Sequence, residues 1–173
     1  LTLMKTSADS LKKSADALND SSLWEKKKIK KKDEKTGEEI EVEDYDWDKI
    51  TKAVKSFVED YNDVVKEAGE SNTKDVLRNA SWMTGMTDKN SNMLAKIGIT
   101  IGKGNKLELD EDALKQADIS SLKTVFTGYN SFVSKISQKA TGISNAANRA
   151  SATYTNNGTY SKTDSSLTSS KID

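Results

Sequence analysis

The sequence predicts an α+β fold, mostly α, in which long amphipathic helices pack with one or two small β-hairpins. Three observations carry this expectation. Apolar residues recur at helical spacing through several stretches, the longest of them at 50–68 and 122–150. Period-two alternation is confined to two short stretches, each broken by a turn containing glycine. Hydrophobic residues make up 34% of the chain and charged residues 31%, so the core is expected to be thin and the helical faces long and exposed.

Residues 1–19 carry Met4, Ala8, Leu11, Ala15 and Leu18 at alternating spacings of four and three, a heptad seam. So short a seam, with alanine at every other position, cannot hold a helix alone. It must lean on another helix of this chain or of a neighbouring copy. The next stretch places Lys26, Lys27, Lys28, Lys30, Lys31 and Lys32 before Glu38, Glu39, Glu41, Glu43 and Asp44. Asp33, Glu34, Lys35, Thr36 and Gly37 read as the turn between two strands, with Ile29, Ile40 and Val42 on a shared apolar face and Lys facing Glu across the pair. A lysine cluster can bind nucleic acid or heparin, but adjacent carboxylates cancel that attraction, and a solvated hairpin is the better reading.

Residues 50–68 form the clearest helix, with Ile50, Ala53, Val54, Phe57, Val58, Tyr61, Val64, Val65 and Ala68 on one stripe. Asp46 or Asp48 can cap its start and Gly69 can end it. Val76, Leu77, Ala80 and Met83 suggest a shorter helix, with Trp82 expected in the core, and Met93, Leu94 and Ile97 suggest another turn. Ile99 and Ile101, then Leu107 and Leu109, alternate on either side of Gly102, Lys103, Gly104 and Asn105, which predicts a second hairpin. The glycines there do not have phosphate-loop spacing. Asp110 is expected to cap a short helix burying Leu114. Asp110, Glu111 and Asp112 lack the alternating ligands of a calcium loop.

A last helix is predicted through Leu122, Val125, Phe126, Tyr129, Phe132, Val133, Ile136, Ala140, Ile143, Ala147 and Ala150, with Gly128 and Gly142 weakening it without ending it. Tyr129, like Trp82, is expected in the core. The organisation expected is therefore an amino-terminal helical segment over 1–22 and an α+β core over 23–120, then a long carboxy-terminal helix over 121–154 and a Ser/Thr-rich flexible tail over 155–173.

Composition also limits chemistry. Histidine and cysteine are absent, which removes His or Cys zinc sites, cysteine nucleophiles and Ser-His triads. Lys plus Arg and Asp plus Glu each number 27, so no global field favours nucleic acid. No apolar run is long enough to insert in a membrane, and no signal peptide is visible. The first residue is Leu1, which fits an excised or processed piece. Asp44, Asp46 and Asp48 lie near Trp24 and Trp47 and could serve as the paired carboxylates of a glycosidase, but capping is the simpler role. No residue is assigned a catalytic, cofactor or metal role, and the chain is not expected to be an enzyme.

Two motifs then carry a family resemblance. The first is Phe57-Val58-Glu59-Asp60-Tyr61-Asn62. The second runs from Leu94, Ala95, Lys96, Ile97, Gly98, Ile99 and Thr100 to Lys106, Leu107, Glu108, Leu109, Asp110, Glu111, Asp112, Ala113 and Leu114. Together, in this order, they resemble the carboxy-terminal domain of the flagellar filament-capping (hook-associated protein two) family. The resemblance spans about residues 40–132. Its family-motif core comprises Phe57, Tyr61, Asn62, Ile97, Gly98, Leu107, Leu109, Asp110 and Leu114.

The resemblance implies a structural protein of the bacterial flagellum, exported without a classical signal peptide. Such a protein would self-associate into a cap-like oligomer and scaffold flagellin, or other filament subunits, at the filament tip. Family members contact the filament through helical legs from both chain ends. Met4, Leu11, Leu18, Phe126, Tyr129, Phe132, Val133, Ile136 and Ile143 are the corresponding candidates for oligomer or partner faces, or for packing onto the core. Family caps commonly finish in a charged heptad helix, whereas this chain finishes in Ser/Thr-rich sequence. An excised core and a reduced relative both fit that departure. A secreted or cell-surface adhesion module and an intracellular helical adaptor are the alternative functions.

Overall fold

The computed structural model describes residues 2–154. Its elements in chain order are α1 (Thr2–Leu18), β1 (Lys27–Lys32), β2 (Glu39–Asp44), α2 (Trp47–Gly69), α3 (Lys74–Lys89), α4 (Ser91–Ala95), β3 (Ile99–Ile101), β4 (Leu107–Leu109), α5 (Glu111–Gln116), α6 (Ile119–Phe126) and α7 (Phe132–Tyr154). A 3-10 turn, Ser21–Trp24, joins α1 to the first strand, and another, Lys103–Asn105, joins β3 to β4. The fold is α+β and mostly α, as predicted, with two separate two-stranded antiparallel sheets. The segment 155–173, expected as a flexible tail, lies outside the described residues.

The heptad seam of α1 is buried at Met4, Ala8, Leu11, Ala15 and Leu18. It packs along α7 and α2 of the same chain, so the helices that this seam leans on lie within the chain and α1 is a wall of the core. Ser137 Oγ donates to Asp16 Oδ1 at 2.7 Å and Ser144 Oγ to Asp9 Oδ1 at 2.6 Å. One heptad separates the members on each helix and the numbers run in opposite senses, so α1 and α7 are antiparallel. Ala8 and Ala15 on one helix, and Ala140 and Ala147 on the other, are fully buried, and small side chains of this kind permit close approach.

At one end of this bundle sits an aromatic cluster. Trp24 stacks on Phe126 with ring centroids 5.5 Å apart, and Phe57 meets Phe126 and Phe132 edge-on at 6.5 and 6.3 Å. The Trp24 indole N–H donates to Leu18 O at 2.7 Å, which satisfies a carbonyl left over at the end of α1.

The predicted continuous helix over 121–154 is broken. α6 stops at Phe126 and α7 starts at Phe132 because Gly128 adopts φ +104°, a left-handed conformation that ends helices and that glycine alone takes without penalty. Ser131 Oγ then accepts from Ser134 N at 3.1 Å and caps the new helix. Tyr129, expected on the buried stripe, sits in this break and is 83% exposed. Trp82 is likewise not in the core but 54% exposed, because the buried stripe of α3 runs through Val76, Ala80, Met83 and Thr87.

The charged hairpin pairs Lys28 with Glu43, Lys30 with Glu41 and Lys32 with Glu39 across the strands. Ile29 opposes Val42, and Ile40 lies on the same face opposite Lys31. None of the twelve residues in these strands is buried, so the hairpin is an exposed arm.

Candidate functional site

The residues of the family-motif core converge on one junction between α2, the second hairpin and α5. Phe57, Tyr61, Ile97, Leu107 and Leu114 all belong to the buried core, and Leu109 packs against it. Asn62, half-buried on α2, donates from Nδ2 to Leu107 O at 2.9 Å and accepts from Leu107 N at Oδ1, 2.7 Å away. The side-chain amide thus takes the place of a third strand at the free edge of β4. The Tyr61 hydroxyl donates to Thr87 Oγ1 at 2.8 Å in the core, tying α2 to α3, and burial pushes its pKa up to about 12.

Gly98 is the pivot of the second motif. Its carbonyl accepts from Asp110 N at 2.8 Å, and Asp110 Oδ1 accepts from Ala113 N at 3.1 Å to cap α5. Gly98 has φ +90°, and a Cβ there would lie 2.7 Å from the backbone oxygen of Asp110 and 3.0 Å from Leu114 N. No larger residue fits without moving main chain.

The proposed partner-face residues divide differently. Met4, Leu11, Leu18, Phe126, Phe132, Val133, Ile136 and Ile143 are buried within this chain, where they form the interior of the bundle. Among that set of residues Tyr129 alone is presented outward. It is carried by the 127–131 turn, which Asn19 pins to the end of α1. Asn19 Nδ2 donates to Gly128 O at 3.2 Å, and Gly128 N donates to Asn19 Oδ1 at 2.8 Å. Asn19 was not singled out by sequence, since its partner lies 109 positions away.

Two of the three carboxylates considered for acid–base chemistry, Asp44 and Asp46, have structural partners. Asp46 Oδ1 accepts from Lys49 N at 3.1 Å and caps α2. Asp44 accepts from Lys31 Nζ and from Tyr45 N, each at 2.7 Å, and these contacts hold its carboxyl below the ordinary range. A general acid requires the opposite shift. Trp24 is committed to the core, and Trp47 packs against it and meets Tyr45 edge-on at 6.0 Å. Among the described residues no group of three or more His, Cys, Asp or Glu could hold a metal, and no helix is long and apolar enough to cross a membrane.

Helices locked together by buried seams, with an exposed hairpin arm and carboxylates used as caps, make a mostly helical α+β bundle. Residues 71–173, more than half of the chain, match the family model described as flagellar hook-associated protein 2 C-terminus. The chain belongs to this family of structural flagellar proteins. The second motif falls inside the matched residues, and the first lies before them. No curated protein and no solved structure matches the chain.

Proposed function

We propose that this chain is the core of a cap at the tip of a growing flagellar filament, outside the cell, where it self-associates and holds a space in which exported flagellin subunits fold and insert. The observation that carries this reading is the family match over residues 71–173, which contains the hairpin-to-helix step built on Gly98 and Asp110. No bond is made or broken in such a role. The work is done by shape, and the buried seams serve it by keeping the bundle rigid.

Contacts with neighbouring copies and with flagellin fall on what the bundle leaves exposed. The β1–β2 arm is one such surface, because an isolated two-stranded hairpin is marginal in water and gains from a neighbour. The Tyr129 turn is another.

The test is filament growth from seeds in the presence of labelled chain and flagellin monomers. The reading predicts label at one end of each filament and continued elongation beneath it. Label spread along the filament wall, or none retained, contradicts it.

A further inference from the structure

The edge of the α3–α7 interface carries a groove of about 700 Å³ whose chemistry neither the fold nor the proposed cap requires. The buried stripe of α3 passes through Met83 and Thr87, so Trp82, Gly85, Met86 and Lys89 flank it on the side of α7 and line the groove. On α7, Ile136 and Ala140 point inward, and the residues preceding them, Lys135 and Lys139, line the opposite wall.

Three properties of this lining point to its occupant. Its charged residues are Lys89, Lys135 and Lys139, and no carboxylate faces them across the groove. Lys5, Lys12, Lys31 and Lys55 each reach a carboxylate elsewhere, whereas none of these three does among the described residues. Lys139 Nζ instead sits 5.0 Å from the centroid of the Trp82 ring, which fixes its charge over the groove while the indole remains 54% exposed. The floor is also open. Gly85 lies inside α3, where glycine disfavours helix, and nothing stands within 4 Å of the position its Cβ would take. A partner's main chain can approach there, against an aromatic anchor and the adaptable Met86.

We propose that this groove is a docking site for an acidic, extended segment of a partner protein, with apolar side chains against Trp82 and Met86 and carboxylates reaching Lys89, Lys135 and Lys139. A nucleic acid or sulfated glycan is the less suitable polyanion. The chain as a whole has no net charge to attract one, and its Arg78 and Arg149 guanidinium groups, the best phosphate forks, are both directed to Asp75 outside the groove. This assignment stands independently of the cap reading.

The test is fluorescence anisotropy of a short labelled peptide alternating glutamate and leucine, titrated with the full chain at low salt. The expected result is saturable binding that weakens as salt is added, accompanied by a change in Trp82 emission that is lost in Trp82→Phe. The same peptide with glutamine for glutamate should bind at least about ten-fold more weakly, a comparison that needs no variant protein. Lys135→Glu with Lys139→Glu should weaken binding by a similar factor while the helical signal and melting temperature stay unchanged. Equal binding of the two peptides, undiminished binding by the double variant, or no binding at all would overturn the proposal. So would displacement of the peptide by a heparin fragment or a single-stranded oligonucleotide at lower concentration than an unlabelled copy of the peptide requires.

Discussion

Asn62 holds Leu107 by both backbone groups, at 2.7 and 2.9 Å, and so joins the helix of the first family motif to the hairpin of the second. A β4 edge left without this partner would strand a donor and an acceptor beside the core. Each unsatisfied buried polar group costs about 1–3 kcal/mol. Asn62→Ala is therefore expected to lower unfolding stability by about 2–4 kcal/mol, allowing for partial access of water. Urea denaturation followed by helical circular dichroism measures it, and a loss under about 0.5 kcal/mol would mean that the edge is satisfied without Asn62.

Gly98→Ala should be similarly severe for a different reason. The side chain would be forced into a left-handed conformation and against main chain at Asp110 and Leu114, with costs of about 1–2 kcal/mol from the first effect and about 1–3 from the second. A thermal melt within a degree or two of wild type would show that this junction can relax.

The two Ser–Asp contacts between α1 and α7 make a pH prediction. The Lys5 ammonium and the Ser144 hydroxyl hold the Asp9 carboxyl below its ordinary value. At Asp16 burial pushes the pKa up, but Lys12 and Ser137 outweigh it and the net shift is again downward. A carboxyl depressed in the folded state contributes stability above its unfolded pKa, about 3.9, and that contribution is lost as pH falls through the folded value. Asp60 works in the opposite sense, since burial raises it, and its contribution is lost as pH rises. Asp9 is half-exposed, so Ser144→Ala should cost only about 1 kcal/mol at neutral pH. That difference should shrink as pH falls below about 4. An equal loss at both pH values in parallel denaturant titrations would remove the carboxylate from the explanation.

Packing should outweigh surface charge by a wide margin. Phe132 and Ile136 are buried on α7, Phe132 edge-on to Phe57 of α2, and placing a carboxylate at either site removes about 1.5–3 kcal/mol of apolar burial and adds the cost of an unpaired charge. Phe132→Asp and Ile136→Asp should each abolish the cooperative thermal transition or shift it down sharply. Lys30→Ala, on the exposed arm, should change stability by less than about 0.5 kcal/mol. Near wild-type melting of both Asp variants would defeat this account of the core.

The sequence was most readable where a single periodicity decided the outcome. The stripes of α1 and α2, the cap at Asp110 and the two hairpins follow from spacing and turn chemistry alone. It was least readable where a local signal competed with that periodicity. Phe126, Tyr129 and Phe132 continue an apolar stripe, but Gly128 followed by Asn130 and Ser131 is a helix stop followed by a cap, and the backbone obeys the stop. Trp82 could have been placed outside the core from its position one residue before Met83, about a quarter turn from the buried stripe. The clasp of Asn19 on Gly128 and the groove lined by Lys89, Lys135 and Lys139 depend on tertiary contacts that spacing does not encode.

The central claim, that this chain is an assembly scaffold, is tested most directly by its mass in solution over rising concentration, by light scattering after size exclusion, with and without purified flagellin. The account predicts a closed oligomer of fixed size or a stable complex with flagellin. A monomer at every concentration, indifferent to flagellin, would contradict it.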